Sequence, residues 1–211
     1  MARRLPVYLL LDVSGSMSGE PITAVQNGVQ TMVSALMGEP QALESAYLSV
    51  ITFSNSAEQL IPLTDVNQFN PPQLKAGGMT SLGEALKLVA ECAEREVVKN
   101  TASEKGDWRP LVFILTDGCA TDDVEKGLAE FKKRKWGIVV ACAAGSQADT
   151  DELSKITEAV VTLDTADSST LAAYFRWLSA SIASSAKSVG ANKEPSGVDE
   201  LPPPPSEIKF F

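Results

Sequence analysis

Asp12, Ser14 and Ser16 alternate along residues 11–16, and alternate residues of an extended or turning segment project to one side. Their oxygens can aim at one point, with Gly15 letting the chain turn tightly between them. A second acid stands in Thr116-Asp117-Gly118, and Thr80 follows the pair Gly77-Gly78 as a further hydroxyl for the same cation. All of these are hard oxygen donors, suited to Mg²⁺, Mn²⁺ or Ca²⁺. Hydroxyls do not neutralise a divalent charge as carboxylates do. A centre of two acids and several hydroxyls leaves a cation under-satisfied and ready to accept a carboxylate from outside.

Other chemistries are excluded by what the chain lacks. It has no histidine, which removes His-based acid–base catalysis, Ser-His-Asp and Cys-His arrangements, and His-ligated zinc or iron. Cys92, Cys119 and Cys142 are far apart and form no Cys-x-x-Cys pair, so they read as reduced thiols of a cytosolic protein. No Gly-x-x-x-x-Gly-Lys-Ser/Thr loop is present, and Gly15-Ser16-Met17-Ser18-Gly19 has Met17 where a nucleophile elbow needs serine. Lys and Arg number 18 against 27 Asp and Glu, a net charge of −9 that disfavours phosphate backbones and hence nucleic acid. The basic run Lys132-Lys133-Arg134-Lys135 falls at the end of an expected helix, where cations complement the dipole and stay solvated.

The elements that must position these residues follow from the apolar pattern. The run 5–11 ends at Asp12 and is too short for a signal peptide or a membrane span. It reads as a buried first strand, in a cytoplasmic protein without membrane insertion. Further strands are expected at 47–53, 57–63, 111–115, 137–143 and 159–163. Helices are expected from Pro21 to Gly38, over 82–98, around Val124, Leu128 and Phe131, and over 151–156 and 171–186. Strands alternating with helices argue a mainly parallel sheet covered on both faces. The short link at Asn55 makes the second and third strands an antiparallel pair, with the third at an edge. In such sheets ligands gather beyond the carboxyl ends of the strands at the topological switch point. Asp12 and Asp117 converge there if the first and fourth strands are neighbours. Residues 1–186 read as the domain and 187–211 as a Pro-rich tail, with Leu201 and the four prolines after it extended as polyproline II. The tail is expected to be flexible, unless Phe210 and Phe211 dock it.

Taken in order, Asp12-x-Ser14-x-Ser16, Thr80 after Gly-Gly, and Thr116-Asp117-Gly118 resemble the metal-ion-dependent adhesion site of a von Willebrand factor type A (VWA) domain, over about residues 5–185. The segments LLLDVSGSMSGEPI, AYLSVITF, LKAGGMTSLGEAL and FILTDG are similar to bacterial tellurium-resistance VWA proteins of the TerY type. The resemblance implies an α/β, Rossmann-like, doubly wound sheet of six strands in the order 3-2-1-4-5-6. It implies Ser14 and Ser16 as direct metal ligands, Asp12 in or near the first shell, Thr80 as a ligand when the site is open to a partner, and Asp117 acting directly or through water. It implies Mg²⁺, with Mn²⁺ or Ca²⁺ as alternatives, and a protein partner whose Glu or Asp completes the metal. The resemblance to TerY-type proteins further implies a Ser/Thr kinase or a protein phosphatase as that partner, in a stress or tellurite response. The rival reading is an enzyme, a Mg²⁺-dependent phosphoryl transferase with Asp12 as nucleophile. The haloacid-dehalogenase pattern needs a second aspartate where this chain has Ser14, so a non-enzymatic adaptor is expected.

Overall fold

Strand β1 (Leu5–Asp12) is buried along its whole length. Its two side-chain parities meet two different layers. Leu5, Val7, Leu9 and Leu11 pack into the core shared with α1 (Glu20–Met37), α2 (Pro40–Ser45) and α6 (Ser168–Gly190). Tyr8 and Leu10 pack into the core shared with α3 (Leu82–Glu96), α4 (Val124–Lys132) and α5 (Thr150–Ile156). A strand covered on both faces needs apolar residues at every position, which is why β1 reads as an unbroken run. This computed structural model describes residues 3–211. Met1 and Ala2, which open the expected 1–186 domain, lie outside the described residues.

The other strands are β2 (Ala46–Phe53), β3 (Ala57–Asp65), β4 (Leu111–Thr116), β5 (Val139–Ala144), β6 (Val160–Leu163) and β7 (Ile208–Phe210). They form one sheet in the order β3-β2-β1-β4-β5-β6-β7. All neighbours are parallel except β2 with β3 and β6 with β7. The expected 3-2-1-4-5-6 order and the antiparallel pair at one edge are therefore present, and the fold is the Rossmann-like α/β sheet. The expected count of six strands is corrected to seven. The additional strand comes from the tail. It pairs Leu163 with Ile208 and Val161 with Phe210, and covers the edge that β6 would otherwise present. Three residues carry too little periodicity to announce a strand.

Two boundaries also differ from expectation. Helix α6 runs to Gly190, across the 186/187 division. Helix α2 was not expected, because Gly38 and Pro40 read as a stop. Pro40 instead opens the new helix, at a position where its missing N–H costs nothing. On the other face, α3 and α4 approach closely at Gly83 and Gly127. A Cβ on Gly127 would lie 1.9 Å from the Gly83 carbonyl oxygen. This contact sets the loop before α4 against the start of α3.

Strand β1 lies between β2 and β4, so the chain switches direction across the sheet there. Leu11 pairs with Leu115, which places Asp12 beside Thr116 and next to the loop holding Asp117. Among the described residues, no helix is long and apolar enough to cross a membrane.

Candidate metal centre

Asp12 is the last residue of β1 and is fully buried. Its Oδ1 accepts the Ser14 backbone N–H at 2.8 Å, closing a tight turn that sets the direction of Ser14. Its Oδ2 accepts the Thr116 hydroxyl at 2.6 Å. Ser14 Oγ lies 3.0 Å from Ser16 Oγ. Ser16 Oγ in turn donates to Asp117 Oδ1 at 2.7 Å. Four of the five expected ligands thus form one connected run across the switch point, Asp12 joined through the Ser14 N–H and Ser14, Ser16 and Asp117 through their side-chain oxygens.

Thr80 reaches the same place by a different route. The Gly15 N–H donates to the Gly78 carbonyl at 3.0 Å and the Gly77 N–H to the Val13 carbonyl at 2.8 Å, which straps the glycine-rich loop to the Asp-x-Ser-x-Ser loop. Thr80 is then clamped to the third loop. Its N–H donates to Thr121 Oγ1 at 3.0 Å, and its carbonyl accepts the Thr121 N–H at 2.9 Å. Among the described residues its hydroxyl makes no hydrogen bond to the other four.

Four supporting residues were not anticipated in these roles. Thr116 holds Asp12; the only available signal was a hydroxyl at a strand end beside an aspartate. Asn55 accepts the Met79 N–H at 3.0 Å. It also closes the space over Gly78, which has φ +86° and where a Cβ would lie 2.6 Å from Asn55 Oδ1. Thr121 clamps Thr80. Asp122 accepts the N–H groups of Gly83 at 3.0 Å and Glu84 at 2.8 Å, capping α3 from another loop. The bonds made by Asn55, Thr121 and Asp122 span 24 to 41 residues, so no local spacing reveals them.

Burial raises the Asp12 carboxyl above the ordinary aspartate range, and the charge of Asp117 pushes the same way; the bonds from Ser14 and Thr116 oppose both. Neither aspartate forms an ion pair with Lys or Arg among the described residues. The described residues hold no cluster of three or more Cys, Asp or Glu side chains that would bind a metal unaided. Any cation here must therefore draw on hydroxyls, and the donor set fits one. Asp12 feels the charge of Asp117, no Lys or Arg among the described residues pairs with either, and the Ser14 and Ser16 hydroxyls run up to Asp117. The separations of 3.0 Å between Ser14 and Ser16 and 2.7 Å between Ser16 and Asp117 are hydrogen bonds that hold these oxygens together at the switch point.

The family model of the von Willebrand factor type A domain matches residues 7–174. The chain belongs to that family. An uncharacterized protein of Synechocystis is 33% identical over 123 residues, which are 55% of this chain and 26% of that protein. The solved von Willebrand factor type A structure from Catenulispora acidiphila has the same fold, with a TM-score of 0.64 at 17% identity over 86% of this chain and 43% of the other. Proximal thread matrix protein 1 from the mussel byssus, solved with a zinc-occupied MIDAS motif, has a TM-score of 0.60 at 20% identity over 86% of this chain and 48% of that one. The chain thus spans between a quarter and a half of the length of these relatives. In this VWA domain the oxygens of Asp12, Ser14, Ser16 and Asp117 meet where the family's metal motif is expected, and Thr80 borders them.

Proposed function

We propose that this VWA domain is a metal-dependent protein-binding module, in which Asp12, Ser14, Ser16, Thr80 and Asp117 hold a divalent cation and a Glu or Asp of a partner protein completes its coordination. The connected run from Asp12 to Asp117 at the switch point carries this reading. When bound, the cation would supply a Lewis-acidic position for an outside carboxylate. The residues do the rest. Asp12 sets the turn, Ser14 and Ser16 present neutral oxygens, and the Thr80 loop borders the opening. The hard oxygen donors suit Mg²⁺, with Mn²⁺ or Ca²⁺ as alternatives.

A binding role is favoured over phosphoryl transfer because Asp12 is fully buried and both of its oxygens are engaged by Ser14 and Thr116, which suits a fixed anchor and hinders a nucleophile. The three cysteines, all free thiols, suit a reducing compartment, so we place the protein inside the cell. The resemblance of its motif segments to TerY-type proteins supports a role in tellurite or stress response, with a Ser/Thr kinase or protein phosphatase as the partner.

The test is capture from the native cell lysate in Mg²⁺ and again in EDTA, with Asp12→Ala and Asp117→Ala as controls. Partners held only by wild type and only with Mg²⁺ are expected. Capture indifferent to both metal and mutation would move the binding surface away from the metal centre and sink the proposal.

A further inference from the structure

At the pole opposite the metal centre, the end of α3, the start of β4 and the turn after α4 enclose a cleft of about 420 Å³. Its walls carry Lys99, Arg109, Lys133, Arg134 and Lys135 with the carboxylates Glu94 and Asp107, while Glu130 borders it through Lys133 and Glu194 through the Arg109 N–H. That local excess of positive charge stands on a chain whose net charge is −9.

The partners of these groups divide the cleft in two. Glu94 is already clasped by Lys99 and Arg134, and Lys133 pairs with Glu130 at 2.6 Å. Asp107 is turned away from the cations of the cleft. It pairs with Arg4 at 2.6 Å and accepts the Val98 N–H at 2.8 Å. Arg109 and Lys135 are exposed, and neither side chain has a carboxylate partner among the described residues. Helix dipoles explain cations close to the ends of α3 and α4, but Arg109 lies on the strand side and belongs to neither helix. Glu94 is a model of what the cleft accepts. It is an exposed carboxylate held by Lys99 and Arg134, whose two hydrogen bonds pull its pKa down to about 2.

We propose that this cleft is a second docking site, independent of the metal, for an acidic segment of a protein partner whose carboxylates pair with Arg109 and Lys135. The acidic remainder of the molecule repels any polyanion, and a short peptide is favoured over a nucleic acid because it can stay within the small cleft whereas a long phosphate backbone would run on over that acidic surface. The arrangement gives the domain two acid-recognising poles. One works through a cation at the carboxyl ends of the strands, the other through side chains at their amino ends.

The experiment measures binding of a fluorescein-labelled hexaglutamate peptide to the full chain by anisotropy, at low salt and in EDTA so that the metal centre is silent. Hexaglutamine and a fluorescein-labelled single-stranded oligonucleotide are run beside it. Hexaglutamate is expected to bind, to weaken as salt rises, and to lose at least tenfold in affinity in Arg109→Glu with Lys135→Glu. The milder Arg109→Gln with Lys135→Gln should fall between that pair and wild type. The charge-matched pair Lys75→Glu with Lys126→Glu, at the metal pole, should bind within about twofold of wild type. Equal losses in both reversed pairs would reduce the effect to overall charge and overturn the site. So would no detectable peptide binding at low salt, or tighter binding of the oligonucleotide than of the peptide.

Discussion

Asp12 is a buried carboxylate without a basic side chain beside it, and its environment disfavours the charge it must carry to hold a metal. Asparagine has the same shape. Its oxygen can accept the Ser14 N–H while its amide donates to Thr116 Oγ1, which is able to accept as well as donate. In EDTA, Asp12→Asn should therefore melt at or above the wild-type temperature, because a buried charge is removed and no hydrogen bond is lost. In Mg²⁺ the order should reverse. Wild type should gain several degrees by mass action, and the variant should gain none. Paired thermal melts would check this; an Asp12→Asn protein that unfolds in EDTA, or that gains as much from Mg²⁺ as wild type, would refute it. At this scale the sequence was informative about identity and silent about support. The alternation of Asp12, Ser14 and Ser16 is local, and so it was legible. The clamps made by Thr121 on Thr80 and by Asn55 on Met79 are bonds between distant loops, and only the fold brings them together.

The elements show the same division between local and distant causes. Strand β1 and helix α1 were legible because an eight-residue apolar run and an 18-residue amphipathic period are long signals. Helix α2, six residues long, gave no such period. The start of α6 was placed late, at Leu171, because the apolar face begins there while the helix begins at its cap. Asp167 is that cap. Its Oδ1 accepts the Thr170 N–H at 2.9 Å and its Oδ2 the Thr165 hydroxyl at 2.6 Å. The Thr165 bond, then those of Thr170, pull its pKa down to about 2. A carboxylate whose folded pKa is depressed stabilises the fold above its unfolded value of about 3.9. That stabilisation is lost as pH falls through the folded value. Asp167→Ala should therefore melt a few degrees below wild type at pH 6, and the gap should narrow as pH falls from about 4 toward about 2. Melts of both proteins across that window would check it, and a gap that widened on acidification would show the sign to be wrong.

Across the whole molecule, the tail is part of the sheet. Ile208 is 3% exposed and packs into the core with Trp177, whose indole N–H donates to the Pro202 carbonyl at 2.8 Å. Phe210 meets Trp177 edge-on at 6.3 Å, and the Phe211 N–H donates to the Val160 carbonyl at 2.8 Å. The prolines hold the connecting segment extended, so little entropy is lost when β7 pairs. A composition rich in Pro and Ser suggested a loose segment because composition registers flexibility along the chain, whereas one buried isoleucine and one strand pairing decide where residues 208–210 dock. The metal centre lies between β1 and β4, and β7 is three strands further along the sheet from β4, about 14 Å away at the usual strand spacing. Stability and metal binding should therefore separate. Ile208→Ala should cost about 2–4 kcal/mol in denaturant unfolding, through lost burial and a residual cavity. Removing residues 201–211 should cost more, and should shift Trp177 fluorescence toward the red as the indole meets water. In both variants the Mg²⁺ affinity of the folded protein, measured by calorimetry, should stay within about twofold of wild type. An affinity that collapsed with the tail would mean that the sheet edge and the switch point are coupled, and that the C-terminal strand holds the metal loops in place from across the molecule.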